Sequence, residues 1–174
     1  MISCFVPWGW HMSKIRVVKG TTLKEASAAL EAKPLWYLGV FAIIFRRGRI
    51  LMVRANGQDT WSLPGGRLEI DDQVKAADTG KNAFYVAISR EVLEETGMKV
   101  VAVETDTAIT RLATKWEDCA FGFFARAEGE PRPLSEIEET HWFFLEEIPK
   151  LKIVGPRIHE IISWAFRVRH LFGE

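Results

Sequence analysis

The chain is poor in cysteine: Cys4 and Cys119 are its only two among 174 residues. That leaves no disulfide framework and no thiolate zinc spacing. Both are expected to be free buried thiols in a reducing cytoplasm. The chain carries no net charge, with 23 Lys and Arg against 23 Asp and Glu, which argues against a stable nucleic-acid partner. No apolar run approaches the length of a membrane span. No basic segment precedes a long apolar one, so a secretory signal is not expected. The four histidines, His11, His141, His159 and His170, never pair at metal-ligand spacing. Internal repeats are also missing. What remains is an ordinary globular composition, 48% apolar and 26% charged, long enough for one domain with a substantial core.

Against that background, one stretch concentrates charge of a single sign. Arg90-Glu91-Val92-Leu93-Glu94-Glu95-Thr96-Gly97-Met98 holds three glutamates at i, i+3 and i+4. On a helix they fall within about one third of the circumference. Like charges this close repel, and a helix that accepts the repulsion either solvates that face or holds a cation there. Oxygen-only ligands suit a hard divalent ion such as Mg²⁺ or Mn²⁺. The helix is well marked. Residues 83–96 lack Gly and Pro, Thr79 or Asn82 can cap the start, and Gly97 can end it in the left-handed conformation. Arg90 and Glu94 are spaced to pair along it.

Upstream lies Trp61-Ser62-Leu63-Pro64-Gly65-Gly66-Arg67-Leu68-Glu69. A Pro-Gly-Gly turn bares backbone amides and carbonyls to a ligand. Before it, Phe41–Phe45 and Ile50–Val53 read as two strands around the turn Arg46-Arg47-Gly48-Arg49. The order is strand, turn, strand, glycine loop, acidic helix. It resembles the Nudix hydrolases, whose signature is Gly, five residues, Glu, seven residues, then Arg-Glu-apolar-x-Glu-Glu-x-Gly-apolar. The second half matches at every specified position from Arg90 to Met98, and the resemblance runs over about residues 38–150. There is one departure. The first signature Glu is replaced by Asp72, and Arg90 follows after ten extra residues. That polar, Gly-containing run, Asp72 to Asn82, reads as a longer loop. It is either a plain surface insertion or a lid that brings Lys75 or Lys81 to the substrate.

The resemblance implies an α/β fold, an α/β/α sandwich around a mixed β-sheet. It also implies Mg²⁺-dependent hydrolysis of a nucleoside diphosphate linked to another moiety. Glu91, Glu94 and Glu95 would be ligands together with the Gly65 carbonyl, and Arg90 would orient the carboxylates. Gly66, Arg67, Trp61 and Lys81 are the remaining substrate-side candidates. Trp61 and Trp142 could stack on a base or serve the core. A further ligand is expected from the loop acids before Trp142, with Glu136 ahead of Glu139. The general base stays open among Glu91, Glu94 and the loop acid.

Around Thr114 the chain has neither the Pro of many ADP-ribose hydrolases nor the Tyr of dinucleoside polyphosphate hydrolases. Its lead-in resembles nucleoside triphosphate pyrophosphohydrolases acting on ordinary or oxidised nucleotides. ADP-ribose, a nucleotide sugar or a dinucleoside polyphosphate is the alternative substrate. Lys115-Trp116-Glu117 would line a base pocket or form a plain turn. An isoprenoid diphosphate isomerase should carry a Cys near the Pro-Gly-Gly turn, and this chain has none there. A non-catalytic nucleotide-binding module would be expected to lose helix acids, and all three are present.

Around this core, Ile15–Val18, Lys99–Val103 and Asp118–Ala127 read as strands. Thr22-Leu23-Lys24-Glu25 resembles a capping box opening a helix through Ala32. The apolar residues from Ile158 to Val168 form a stripe on a terminal helix, spanning 156–172, that suits core or dimer contact. The chain reads as a single domain with residues 1–37 as an N-terminal extension. Residues 1–12 could be a partner-binding arm, an added strand or an upstream extension before Met12. A monomer or homodimer acting on a small nucleotide is expected.

Overall fold

Side-chain alternation along the strands sets the layers of the fold. Val40, Ala42 and Ile44 face one way, and Ile43 and Phe45 face the other. Phe121, Phe123 and Ala125 repeat this alternation against Ala120 and Phe124, as the period of two requires. Both sides are apolar, so both must be covered. The computed structural model describes residues 14–17, 38–112 and 119–172. Residues 1–12, the helix expected from Thr22, and Lys115–Glu117 lie outside the described residues.

The strands are β1 (Lys14–Val17), β2 (Leu38–Ile43), β3 (Phe45–Arg46), β4 (Arg49–Ala55), β5 (Trp61–Ser62), β6 (Gly65–Arg67), β7 (Lys99–Leu112), β8 (Cys119–Glu128) and β9 (Ile137–Phe143). Five form a mixed sheet in the order β1-β7-β8-β2-β6. In it, β2 runs parallel to β8 and β1 parallel to β7, whereas β2–β6 and β7–β8 are antiparallel. The other four are antiparallel, with β3, β5 and β9 all pairing with β4. The strand expected over Lys99–Val103 is thus only the first part of a much longer one.

Among the described residues, three α-helices complete the layers: α1 (Ile70–Thr79), α2 (Ala83–Thr96) and α3 (Gly155–Val168). From α2, Phe84, Ala87, Ile88 and Val92 pack into the core that holds Val40, Leu51 and Phe123. From α3, Ile158, Ile161, Ile162, Ala165 and Phe166 fill the core on the other side, with Ile43, Ile50, Met52 and Phe124. The terminal stripe is therefore core. Ile161 and Ile162 are fully buried, a burial that contributes about 1.5–3 kcal/mol for each such side chain. The result is the expected α/β/α sandwich. Among the described residues no helix is long and apolar enough to cross a membrane.

The run expected as a loop is helical, and this is a correction. Asp71 to Thr79 contains no Gly or Pro. A capping box starts α1: the carboxylate of Asp72 accepts from the Glu69 amide at 3.0 Å. Gly80 ends it with φ 66°, its amide donating back to Ala76 and Ala77 carbonyls. The glycine that suggested a loop is a helix C-cap. Only Asp72 and Ala76 are buried on α1, so it carries little hydrophobic signal.

Candidate active site

The acidic helix delivers two of its three glutamates to the glycine turn. Glu91 and Glu95 are buried, at 8% and 6% exposure, while Glu94 is turned outward. Glu95 Oε2 accepts from the Gly65 amide at 2.9 Å. Burial raises its pKa to about 8, and the charges of Glu91, Glu136 and Glu94 add to the shift. Burial also raises the pKa of Glu91, only partly offset by Arg90. Asn82 resolves the choice of cap, its Oδ1 accepting from the Phe84 amide at 2.8 Å. Gly97 ends α2 at φ 67°, as its position suggests.

Both glycines of the turn sit where a Cβ would collide, with backbone at Gly65 and with the end of a side chain at Gly66. A Cβ on Gly65, whose φ is 151°, would run into the Val40 carbonyl oxygen. One on Gly66 would run into the Glu91 carboxylate. At Gly66 the turn and α2 are in this way closer than a Cβ allows while Glu91 keeps its place.

Arg90 organises the carboxylates. Its Nη1 donates to Glu91 Oε1 at 2.9 Å and to Glu94 Oε2 at 3.2 Å. Its Nε and Nη2 grip both oxygens of Asp72 at 3.0 and 2.9 Å, and Nη2 also reaches the Arg67 carbonyl at 3.0 Å. The hydrogen bond to Asp72 raises the pKa of Arg90 above its ordinary value against the effect of burial. At Asp72, burial opposes the charge, but hydrogen bonds from Arg90 and the Glu69 amide, with the charges of Arg90 and Lys75, outweigh it and lower the pKa. Asp72 therefore holds Arg90 despite the shorter side chain and the altered spacing.

The segment before β9 closes over the end of α2. Arg132 and Leu134 amides donate to Thr96 and Glu95 carbonyls at 2.9 and 3.1 Å. Ser135 Oγ donates to the Glu94 carbonyl at 3.0 Å. These contacts satisfy carbonyls a helix end leaves open and bring Glu136 within electrostatic reach of Glu95. Glu139, the second candidate, is held instead by Arg54 Nη2 at 2.7 Å.

Other candidates lie further out. Trp61 is half-buried and packs edge-on against Phe143 at 4.8 Å, with the Arg54 guanidinium 5.7 Å from its ring centre. Trp142 packs against the α2-side core, with Arg46 at 4.9 Å from its ring centre. Lys81 is exposed and sits 4.9 Å from the Tyr85 ring centre. Arg67 is exposed beside the turn, offering its carbonyl to Arg90. Among the described residues no three Asp, Glu, His or Cys side chains converge as a ready ligand group. Arg90 holds Glu91 and Glu94, and the Gly65 amide holds Glu95. The donor set is all oxygen, and two buried carboxylates have raised pKa values. Its chemistry suits a hard divalent cation.

The sequence profile of the NUDIX domain matches residues 36–165. The chain belongs to the NUDIX family. A MutT-like protein of Streptomyces ambofaciens is 31% identical over 116 residues, 66% of this chain and 68% of that one. The fold is similar to a NUDIX hydrolase from Nitrosomonas europaea, with a TM-score of 0.64 at 20% identity, covering 79% of this chain and 74% of the other. It is also similar to a UDP-X diphosphatase, with a TM-score of 0.56 at 24% identity, covering 87% and 73%. As a NUDIX hydrolase it is a pyrophosphohydrolase. Sequence reasoning missed Arg54, which reaches Glu138 and Glu139 across 84 and 85 residues. Only its conjunction with that acidic run could have signalled it.

Proposed function

We propose that this NUDIX hydrolase cleaves a nucleoside triphosphate, ordinary or oxidised, to monophosphate and pyrophosphate with Mg²⁺ as cofactor. The observation that carries the Mg²⁺ part of the reading is the pair Glu91 and Glu95, buried against Gly65 and Gly66 with raised pKa values. Two buried carboxylates favour a partner of high positive charge. Glu91, Glu94, Glu95, Glu136 and the Gly65 carbonyl would hold Mg²⁺. When bound, it would neutralise phosphate charge and lower the pKa of the attacking water. Arg90 keeps Glu91 and Glu94 together, and the Gly65 amide fixes Glu95. The water adds to phosphorus as the anhydride P–O bond breaks, and its proton passes to Glu91, Glu94 or Glu136. The triphosphate choice rests on the lead-in Trp61-Ser62-Leu63-Pro64-Gly65-Gly66, which resembles that of nucleoside triphosphate pyrophosphohydrolases.

The test is product analysis by chromatography with Mg²⁺ and a panel of triphosphates, oxidised nucleotides, ADP-ribose, dinucleoside polyphosphates and nucleotide sugars. Monophosphate and pyrophosphate from a triphosphate are expected, and cleavage confined to the other substrates would overturn that choice. Glu94→Gln should lower kcat by about 10²-fold or more with the fold intact. Unchanged turnover would remove Glu94 from the site.

A further inference from the structure

The ladder between β4 and β9 breaks its register beside the site. Arg54 faces Glu139, yet Ala55 faces Ile137, so Glu138 is an extra residue on β9. Consecutive residues of a regular strand point to opposite faces. A bulge re-aims them, and here both glutamates reach one cation. Arg54 Nη1 binds Glu138 Oε2 at 3.1 Å, and Nη2 binds Glu139 Oε2 at 2.7 Å. Nη1 also donates to the Gln58 carbonyl at 3.1 Å. A single exposed ion pair is weak, but this guanidinium forks between two carboxylates, caps a turn and lies over Trp61. Immediately before the bulge, the Asn56 amide donates to the Glu136 carbonyl at 2.8 Å. On its other side the segment is tied to α2 through Leu134 and Ser135. Glu136 is thus held between two anchors, the end of α2 and the Arg54 fork.

We propose that Arg54 is a positioning residue which, by clamping the Glu138–Glu139 bulge, sets Glu136 against the carboxylates of α2. This rests on the reading of Glu136 as the loop acid of the site. The two ideas fail differently. Removing a cation near a metal site should strengthen cation binding by simple electrostatics, whereas loss of positioning weakens it.

The experiment is a double-mutant cycle of Arg54→Gln and Glu136→Gln. It reads Mn²⁺ binding to the substrate-free protein by calorimetry, and kcat. Each single variant should weaken Mn²⁺ binding and lower kcat by roughly tenfold, and the double variant should be no worse than Glu136→Gln alone. Effects that multiply, or an Arg54→Gln protein that binds Mn²⁺ as well as or better than the parent, overturn the clamp and leave Glu136 in place. A Glu136→Gln protein unchanged in both readouts overturns the loop acid and the clamp with it. Should Arg54→Gln not fold, Arg54→Lys keeps the charge and stem but cannot span both carboxylates. It is expected to reproduce the loss, and parent-like Mn²⁺ binding would overturn the clamp.

Discussion

Arg90 and Asp72 form a two-pronged ion pair, Nε to Oδ1 at 3.0 Å and Nη2 to Oδ2 at 2.9 Å. It joins α1 to α2. The Asp72 side chain is 3% exposed and that of Arg90 23%, so the contact is largely shielded from water. The inserted helix is therefore part of the support of the site.

Asp72→Ala should be costly for that reason. Breaking a buried pair costs about 3 kcal/mol, an upper figure here because Arg90 keeps Glu91 and Glu94 as partners. Arg90 would then hold Glu91 and Glu94 less firmly, lowering kcat by roughly tenfold or more, as loss of an outer-sphere support does. Thermal melting and steady-state kinetics check both. A stable, fully active variant would show that α1 is only a surface insertion.

Gly66→Ala separates catalysis from folding. Gly66 is not in the left-handed region, so alanine strains no backbone there. Its Cβ would instead meet the Glu91 carboxylate, the movable end of a side chain. The melting temperature should change little, while displacement of Glu91 should reduce kcat by about 10²-fold. Wild-type kcat in Gly66→Ala would remove Glu91 from the chemistry.

How far the sequence reached depended on the range of the interactions. Helix α2 was legible because everything that defines it is local: Asn82 at one end, Gly97 at the other, and a run between them without Gly or Pro. Helix α1 was misread because its stability comes from a capping box and from Asp72 meeting Arg90, eighteen residues on. Its mostly polar sequence and Gly80 mimic a loop. The division of the three glutamates, two inward and one outward, depends on where the Gly65–Gly66 turn lands, which helical spacing alone does not fix. Glu136 stands ahead of Glu139 already in the sequence, but the Arg54 contact that occupies Glu139 depends on a bulge set by pairing with β4, and no local pattern announces that.

The buried Glu95 predicts a pH dependence of stability in the metal-free protein. Its pKa is about 8 in the folded state against an ordinary value of 4.5. Between those values the folded protein keeps a proton that the unfolded chain releases. Stability from this group is therefore fully present below the unfolded pKa and is lost as pH rises through the folded one. Asp72 acts in the opposite sense: its lowered pKa gives stability above its ordinary value that is lost in acid. In EDTA the melting temperature should fall between about pH 6 and about pH 8.5, a window in which Asp72 stays ionised. Glu95→Gln should flatten that fall, because the neutral amide has no proton to lose. Added Mg²⁺ should restore the wild type at the higher pH, since an ion that binds only the folded state stabilises it. It should do so much less in Glu95→Gln. A wild-type melting temperature that holds steady across this range in EDTA would mean that Glu95 is charged in the folded protein without a metal, and that burial does not govern its ionisation.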